Sequence, residues 1–275
     1  MVDLLTNPLA TPAQLLATPL PLTLRAALHY LPSQLLLSTG VLLSLPQPTI
    51  ATALILLHRF HLLVPAPSHP LLATTHACLY LATKLTETPT KPRAIINATS
   101  YILHTPTSSP LSPREKEDAH VTEAQYFEQR GEMIRMEAEL LKVQGFQTHV
   151  ALPYGLIVNY LRTLECLDKV VCRRAWELVN DGLLAPGRVF LTCQPNAIAV
   201  AAVYIAAREG GRRLPEGWWE VFDVEREELG FLVVSLLGVK EFCAREKRRW
   251  EGREMPWGVE AMERFVGEWV EEMEE

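Results

Sequence analysis

One cation and one anion stand at positions where an amphipathic helix normally carries apolar residues. Lys84 follows Tyr80 by four residues, and Glu137 precedes Leu141 by four. Because residues three and four apart share one helix face, each charge lies within an apolar stripe. The two charges can form a structural salt bridge, with the lysine also favoured near a helix C-terminus, or they can contact a second polypeptide. Their spacing alone leaves both interpretations open.

An internal repeat includes the helix that carries Lys84. Tyr80 aligns with Tyr204 at an offset of 124 residues, and at the same offset Ala77 aligns with Ala201. Each copy is rich in alanine, which lets neighbouring helices approach closely and is typical of a central helix. The repeat therefore predicts two related units in one chain, each built around such a helix.

Prolines and caps divide the chain into helical segments, and no segment alternates long enough to compete as a strand. The fold class that follows is all-α. A leader with a short helix at 22–31 precedes five helices at 33–45, 47–63, 70–84, 91–103 and about 122–145. A second set of five follows near 153–166, 169–183, 195–209, 215–222 and 225–238, and then a charged helix at 259–275.

Charge is distributed unevenly along the 275 residues, of which 48% are hydrophobic. Only seven of the 26 basic and 32 acidic residues lie within residues 1–110. Such an apolar first half favours a surface that another protein covers. The net charge of −6 disfavours direct binding of nucleic acid. Pro46 and Pro48 interrupt the leucine-rich stretch 35–63, so no membrane segment is expected.

The sequence offers no pattern for catalysis, cofactors or metal. The five cysteines show no C-x-x-C spacing and are interpreted as reduced thiols. The histidines form no metal-binding spacing with them, and the 14 glycines form no phosphate-binding loop. We therefore expect a protein that is not an enzyme and holds neither metal nor cofactor.

Several short motifs resemble those of cyclins in their order along the chain. Leu81–Glu87 and Arg135–Lys142 are similar to the third and fifth helices of a cyclin box. The likeness sharpens to the cyclin L family over residues 33–240. The motifs that carry this extension are Leu45–Gln47, His58–Phe60, Ile95–Asn97, Gly145–Val150 and Tyr160–Cys166.

The resemblance implies tandem cyclin folds, two five-helix bundles of which the first binds a cyclin-dependent kinase. It implies that Lys84 and Glu137 hydrogen-bond to the kinase backbone beside its αC helix. The apolar residues that it places against that helix are Leu81, Leu85, Leu141 and Phe146. It further implies a PITSLRE-type kinase, a possible third subunit, and a nuclear role in transcription and pre-mRNA splicing.

The expected domains are a leader at 1–32, a kinase-binding box at 33–149, a second box at 150–240 and a charged extension at 241–275. Two alternatives remain open on the sequence. Cyclins of the K, T, C, H and M types share the same Lys and Glu, and general transcription factors that bind DNA also use tandem cyclin folds. Such factors need basic surfaces and usually a zinc ribbon, and the chain shows neither.

Six serine or threonine residues directly precede a proline, which is the pattern that proline-directed kinases phosphorylate. Turn and helix-start chemistry offers another explanation for most of them. The six are Thr11, Thr18, Thr88, Thr105, Ser109 and Ser112.

Overall fold

The computed structural model describes residues 5–17, 20–64, 68–104, 120–251 and 255–274. Within these ranges the regular structure is helical and there is no strand, which confirms the all-α prediction. The α-helices are α1 (Pro12–Leu16), α2 (Leu22–Leu42), α3 (Gln47–Leu63), α4 (Leu71–Leu85), α5 (Pro92–His104), α6 (Glu123–Val143), α7 (Tyr154–Thr163), α8 (Lys169–Gly182), α9 (Val189–Thr192), α10 (Pro195–Glu209), α11 (Arg226–Trp250) and α12 (Val259–Glu274). A short 3-10 helix spans Trp218–Phe222.

The chain divides into two compact units. One comprises Ala17–Thr148 with Gly252–Glu275 and is called the α4 unit; the other comprises Met1–Leu16 with His149–Glu251 and is called the α10 unit. Each contains a five-membered helical set, as the fold prediction requires: α2 to α6 in the first, and α7, α8, α10, the 3-10 helix and α11 in the second.

The centre of the α4 unit is helix α4, which packs on α2, α3, α5 and α6. Its alanines explain this position, because Ala73, Ala77 and Ala82 are buried and let the neighbouring helices approach closely. Prolines set the starts of the surrounding helices, as at Pro48 in the first turn of α3. Thr122 and Gln125 form the predicted capping box at the start of α6.

Helix α10 holds the same central position in the α10 unit, where it packs on α7, α8 and α11. It spans Pro195–Glu209, which is the α4 range displaced by the 124 residues that the sequence repeat predicts. Both central helices are 15 residues long. The repeat thus identified the two organising helices correctly.

Three helix predictions differ from the structure. A single helix α2 replaces the two predicted segments and runs through Pro32. Proline removes only one backbone donor, and burial of Leu28 and Leu36 on either side stabilises the continuous helix. The segment predicted at 215–222 is the short 3-10 helix, which begins after Gly217 in the left-handed region. Helix α11 continues to Trp250 rather than ending near residue 238.

The two ends of the chain are docked rather than loose. In the α10 unit Asn7 is 5% exposed, and the backbone N–H of Ala10 donates to the carbonyl of Leu191. In the α4 unit the backbone N–H of Leu71 donates to the carbonyl of Trp257, and Met262 of α12 is fully buried. Residues 105–119, which lie between the fourth and fifth predicted helices, fall outside the described residues. The four domain boundaries stay a prediction.

None of the helices within the described ranges combines the length and apolar character needed to cross a membrane.

Candidate functional site

Lys84 and Glu137 meet in the structure. Helix α4 packs along α6, and the Lys84 ammonium forms an ion pair with Oε1 of Glu137. The Lys84 side chain is 43% exposed and that of Glu137 is 11% exposed. The Lys84 ammonium also lies 4.3 Å from the centre of the Tyr80 ring, a cation–π contact. The lysine is therefore held in place on two sides while part of its surface faces solvent.

The C-terminus of α4 is closed by two backbone hydrogen bonds. The N–H of Glu87 donates to the carbonyl of Lys84, and that of Thr88 donates to the carbonyl of Thr83. This is a Schellman motif, in which the residue after the cap adopts the left-handed conformation. That residue is Glu87, with φ of 54°, rather than the usual glycine. The turn that follows Lys84 therefore carries some backbone strain.

The C-terminus of α6 ends in the same motif. The N–H groups of Gly145 and Phe146 donate to the carbonyls of Lys142 and Leu141. Both Gly145 and Phe146 have positive φ, 57° and 60°, and the bulky Phe146 pays a steric cost of roughly 1 to 2 kcal/mol for it. Phe146 is nevertheless 69% exposed. A strained, exposed aromatic ring therefore stands at the end of the helix that carries Glu137.

The apolar residues of the predicted site differ in exposure. Leu85, next to Lys84, is 40% exposed, and Leu141, one turn after Glu137, is partly exposed. Leu81 is only 5% exposed, so it supports the surface from within. The ends of α4 and α6 thus present one ion pair flanked by apolar side chains, a combination of central apolar contacts and oriented polar groups that suits a protein interface.

The structure exposes apolar side chains on α6 that are not among the predicted site residues. Phe127 and Ile134 on α6 are 57% and 43% exposed, with the exposed Gly131 between them. Their spacing of three, four and seven residues places them on one face of α6. That spacing was visible in the sequence, but nothing in it told which face the unit leaves uncovered.

The corresponding residues of the second repeat, on α10, make different contacts. Arg208 of α10 corresponds to Lys84, and its Nη1 donates a 2.9 Å hydrogen bond to the hydroxyl of Tyr204 on the same helix. Glu209 accepts two hydrogen bonds from Arg174 of α8. The cation of the second copy is thus engaged within its own helix, whereas that of the first copy reaches a neighbouring helix.

One buried histidine and one buried cysteine of α4 belong to the core rather than to the candidate site. His76 and Cys78 lie on α4 and are almost fully buried. Burial lowers the pKa of His76 to about 4 and raises the pKa of the Cys78 thiol. Nε2 of His76 lies 2.6 Å from Oγ1 of Thr99, and the Thr99 hydroxyl also lies within hydrogen-bonding distance of backbone carbonyls one turn earlier on α5. Among the described residues no group of three or more His, Cys, Asp or Glu side chains could hold a metal ion.

Comparison with curated proteins finds cyclin L sequences. The chain is 32% identical to Cyclin-L2 of Mus musculus over 207 residues, which cover 74% of this chain and 38% of that protein. It is also 32% identical to Cyclin-L1 of Homo sapiens over 213 residues, covering 76% and 39%. A cyclin-L1-like protein of Schizosaccharomyces pombe is 30% identical over 205 residues, covering 74% of this chain and 79% of that protein. The chain therefore spans well under half the length of the animal relatives it matches.

No family model matches the chain. Among solved structures, a chain of the yeast RNA Pol II CTD kinase CTDK-1 complex gives a TM-score of 0.67 at 16% identity, covering 96% of this chain and 83% of that one. A viral cyclin from herpesvirus saimiri gives 0.53 at 14% identity, covering 83% and 88%. At these identities the likeness concerns the fold, and it agrees with the predicted tandem cyclin folds.

Proposed function

Because the chain belongs to the cyclin L family, we propose that it is a regulatory subunit that binds and activates a cyclin-dependent kinase. The proposed contact surface is formed by the ends of α4 and α6. Its members are the predicted residues Leu81, Lys84, Leu85, Glu137, Leu141 and Phe146.

The observation that carries this proposal is the ion pair between Lys84 and Glu137. A purely structural pair in a core is expected to be buried on both sides and to have its remaining donors satisfied there. The Lys84 side chain is instead 43% exposed, within reach of a second polypeptide. Phe146 supports the same interpretation, because an exposed aromatic ring on a strained backbone is costly unless a partner uses it.

Activation follows from selective binding of one kinase conformation. A kinase is competent when the glutamate of its αC helix pairs with the lysine of a neighbouring strand. A subunit that binds only this helix position shifts the population of the kinase toward it. In this proposal the chain itself performs no chemistry and needs no cofactor or metal.

The proposed partner is a PITSLRE-type kinase, and the proposed setting is transcription and pre-mRNA splicing in the nucleus. Similarity to cyclin L proteins over three quarters of the chain supports this choice above cyclins of the K, T, C, H or M types. A third protein subunit remains part of the proposal. The chain's net charge of −6 disfavours the alternative of a DNA-binding transcription factor.

A charge exchange tests the role of the ion pair. The single variants Lys84→Glu and Glu137→Lys each bring like charges together, while the double variant restores a pair of opposite charges in exchanged positions. If each charge contacts the kinase backbone, all three variants lose kinase binding, and the double variant melts within a few degrees of the native chain. A purely structural pair predicts instead that the double variant recovers both stability and binding.

The measurement is affinity purification with mass spectrometry, followed by phosphorylation assays with the captured kinase. The matched control is an exchange in the exposed pair between Arg173 and Glu177 on α8. It should leave kinase capture unchanged. Undiminished capture by Lys84→Glu and Glu137→Lys, with normal melting, would rule out the proposed surface.

A further inference from the structure

A cluster of three threonine hydroxyls joins the turn after α4 to the start of α3, beside the proposed kinase surface. Oγ1 of Thr49, at the start of α3, lies 2.8 Å from Oγ1 of Thr86 and 3.2 Å from that of Thr88. The Thr86 and Thr88 oxygens are 3.0 Å apart, and the Thr86 hydroxyl donates to the carbonyl of Ala82. Thr49 is fully buried. The cluster therefore ties the end of α4 to the start of α3.

Thr88 is at once a member of this cluster, the closing residue of the α4 cap and a residue that precedes proline. Its N–H bonds to Thr83, and Pro89 follows it directly in an irregular segment. Thr88 itself is partly exposed, and its neighbours Glu87, Pro89 and Lys91 are exposed. Of the six threonines and serines before proline, only Thr11 and Thr88 lie in the described ranges. Of these two residues, Thr88 is the one beside the last turn of α4, which carries Lys84.

We propose that Thr88 is a phosphorylation site for a proline-directed protein kinase, and that its phosphorylation disables the surface formed by the ends of α4 and α6. This inference rests on the proposed function for its consequence, but not for the modification itself.

The modification is an ordinary phosphoryl transfer from ATP bound with magnesium. The Thr88 hydroxyl oxygen attacks the γ-phosphorus, and the bond from that phosphorus to the oxygen bridging it to the β-phosphate breaks. The hydroxyl proton passes to the catalytic base of the modifying kinase, and ADP leaves. The product carries close to two negative charges near neutral pH.

A phosphate cannot occupy the place of the Thr88 hydroxyl. The oxygen lies at hydrogen-bonding distance from the fully buried Thr49, so the bulky dianion has to turn outward and break the cluster. It would also stand at the C-terminal, negative end of the α4 dipole and directly after Glu87. A phosphate at a helix C-terminus or next to a carboxylate disrupts the local structure.

Phosphorylation of Thr88 should also disturb the position of Lys84. The lysine is in the last turn of α4, and its carbonyl accepts the N–H of Glu87 in the cap that Thr88 completes. Loss of the cap loosens the turn that fixes Lys84 and Leu85. A dianion four residues later also competes with Glu137 for the Lys84 ammonium. Kinase binding should therefore fall on phosphorylation.

The first arm of the test concerns the modification. The full chain is incubated with a purified proline-directed kinase and magnesium ATP, and phosphate is located by peptide mass spectrometry. We expect phosphate on Thr88, no phosphate there in Thr88→Val or Pro89→Ala, and normal modification in the neighbouring control Thr90→Val. A chain that stays unmodified at Thr88, while an isolated 84–94 peptide is phosphorylated, overturns the proposal.

The second arm measures the consequence in two ways. The phosphorylated chain should melt several degrees lower than the unmodified one, because the cluster and the cap are lost. It should also bind the PITSLRE-type kinase at least about tenfold more weakly, equivalent to roughly 1.4 kcal/mol. Comparison with phosphorylated Thr88→Val corrects for phosphate at other sites. Unchanged melting and binding after modification of Thr88 would contradict the inference.

The two proposals fail in different ways. If the unmodified chain does not bind any kinase, the proposed function is wrong, while the modification and the melting shift still test Thr88. If the unmodified chain binds and the phosphorylated chain binds equally well, only the inference about Thr88 is wrong.

Discussion

Glu246 has no exposed surface, and both of its carboxylate oxygens lie 2.7 Å from Nη1 of Arg249, three residues later on α11. A longer contact of 3.4 Å joins Oε1 to Nε of Arg245. An ionised carboxylate without water is costly unless a cation and hydrogen bonds compensate it. Arg249 therefore determines whether the last turns of α11 can remain packed.

Replacing Arg249 by methionine should destabilise the protein, because it leaves the Glu246 carboxylate buried with only its weaker contact. We expect Arg249→Met to lower the free energy of unfolding by about 3 kcal/mol. Urea unfolding measures the change, with Lys247→Met on the exposed side of the same turn as control. Equal losses of unfolding free energy in the two variants would contradict a stabilising role of Arg249.

Two helical glycines should respond to alanine with opposite signs. A Cβ on Gly40 of α2 would lie 2.6 Å from Cγ1 of the buried Ile50, so Gly40→Ala should destabilise by roughly 1 to 3 kcal/mol. A Cβ on Gly131 of α6 meets no atom within 4 Å, and Gly131→Ala should stabilise by up to about 1 kcal/mol through helix propensity. Thermal melting of both variants checks the signs. A change of the two melting temperatures in the same direction would show that the space around each glycine does not determine the effect of alanine.

Stability should fall on acidification because of His76. Burial lowers its pKa to about 4, from an ordinary value near 6.5 in the unfolded chain. Between these values the unfolded chain binds a proton that the folded chain excludes, so the free energy of unfolding decreases as the pH falls through this window. The slope from one such proton is at most about 1.4 kcal/mol per pH unit.

Urea unfolding at pH 7.5, 5.5 and 4.5 measures this slope. The variant His76→Gln should show a shallower dependence, whereas His104→Gln, at the exposed end of α5, should retain the native slope. Identical slopes in all three proteins would exclude His76 as the source.

Removal of the Asn7 side chain should release the N-terminal segment from the α10 unit. Its amide donates a 2.9 Å hydrogen bond to the carbonyl of Ala151, and its Oδ1 accepts a 2.8 Å bond from the N–H of the same residue. Because Ala151 is 7% exposed, Asn7→Ala leaves two backbone groups poorly satisfied, at a cost of about 1 to 3 kcal/mol. Limited proteolysis should cut residues 5–16 faster than in the control Leu16→Ala, which changes an exposed residue of the same segment. Equal rates would speak against a docked segment.

Much of the fold was predictable because its signals are local and periodic. The alanine-rich repeat located α4 and α10, and prolines located the starts of α3 and α10. The extension of α11 was not predictable, because residues 241–250 are highly charged. Only the tertiary structure shows that Glu246 and Trp250 are buried within them.

The candidate site was predictable in part. Charges at apolar positions on two neighbouring helices pointed to Lys84 and Glu137, and the structure brings these two side chains together. The left-handed Glu87 was not predictable, because no glycine marks that turn and the cap depends on bonds to Thr83 and Lys84. The exposure of Phe146 was equally hidden, since a sequence shows an aromatic residue but not what covers it.

Each terminal segment of the chain packs in the unit that the opposite half of the sequence forms. The first residues complete the unit encoded by the second half, and the last helix, with Met262 and Trp269 buried, completes the unit encoded by the first. Separate expression of the two halves of the chain would therefore give two incomplete products. The first would lack α12, so that the apolar surface covered by α12 would be exposed, and the second would lack the N-terminal segment that carries Asn7. A tag or deletion at the N-terminal end should therefore affect the α10 unit, and one at the C-terminal end should affect the α4 unit.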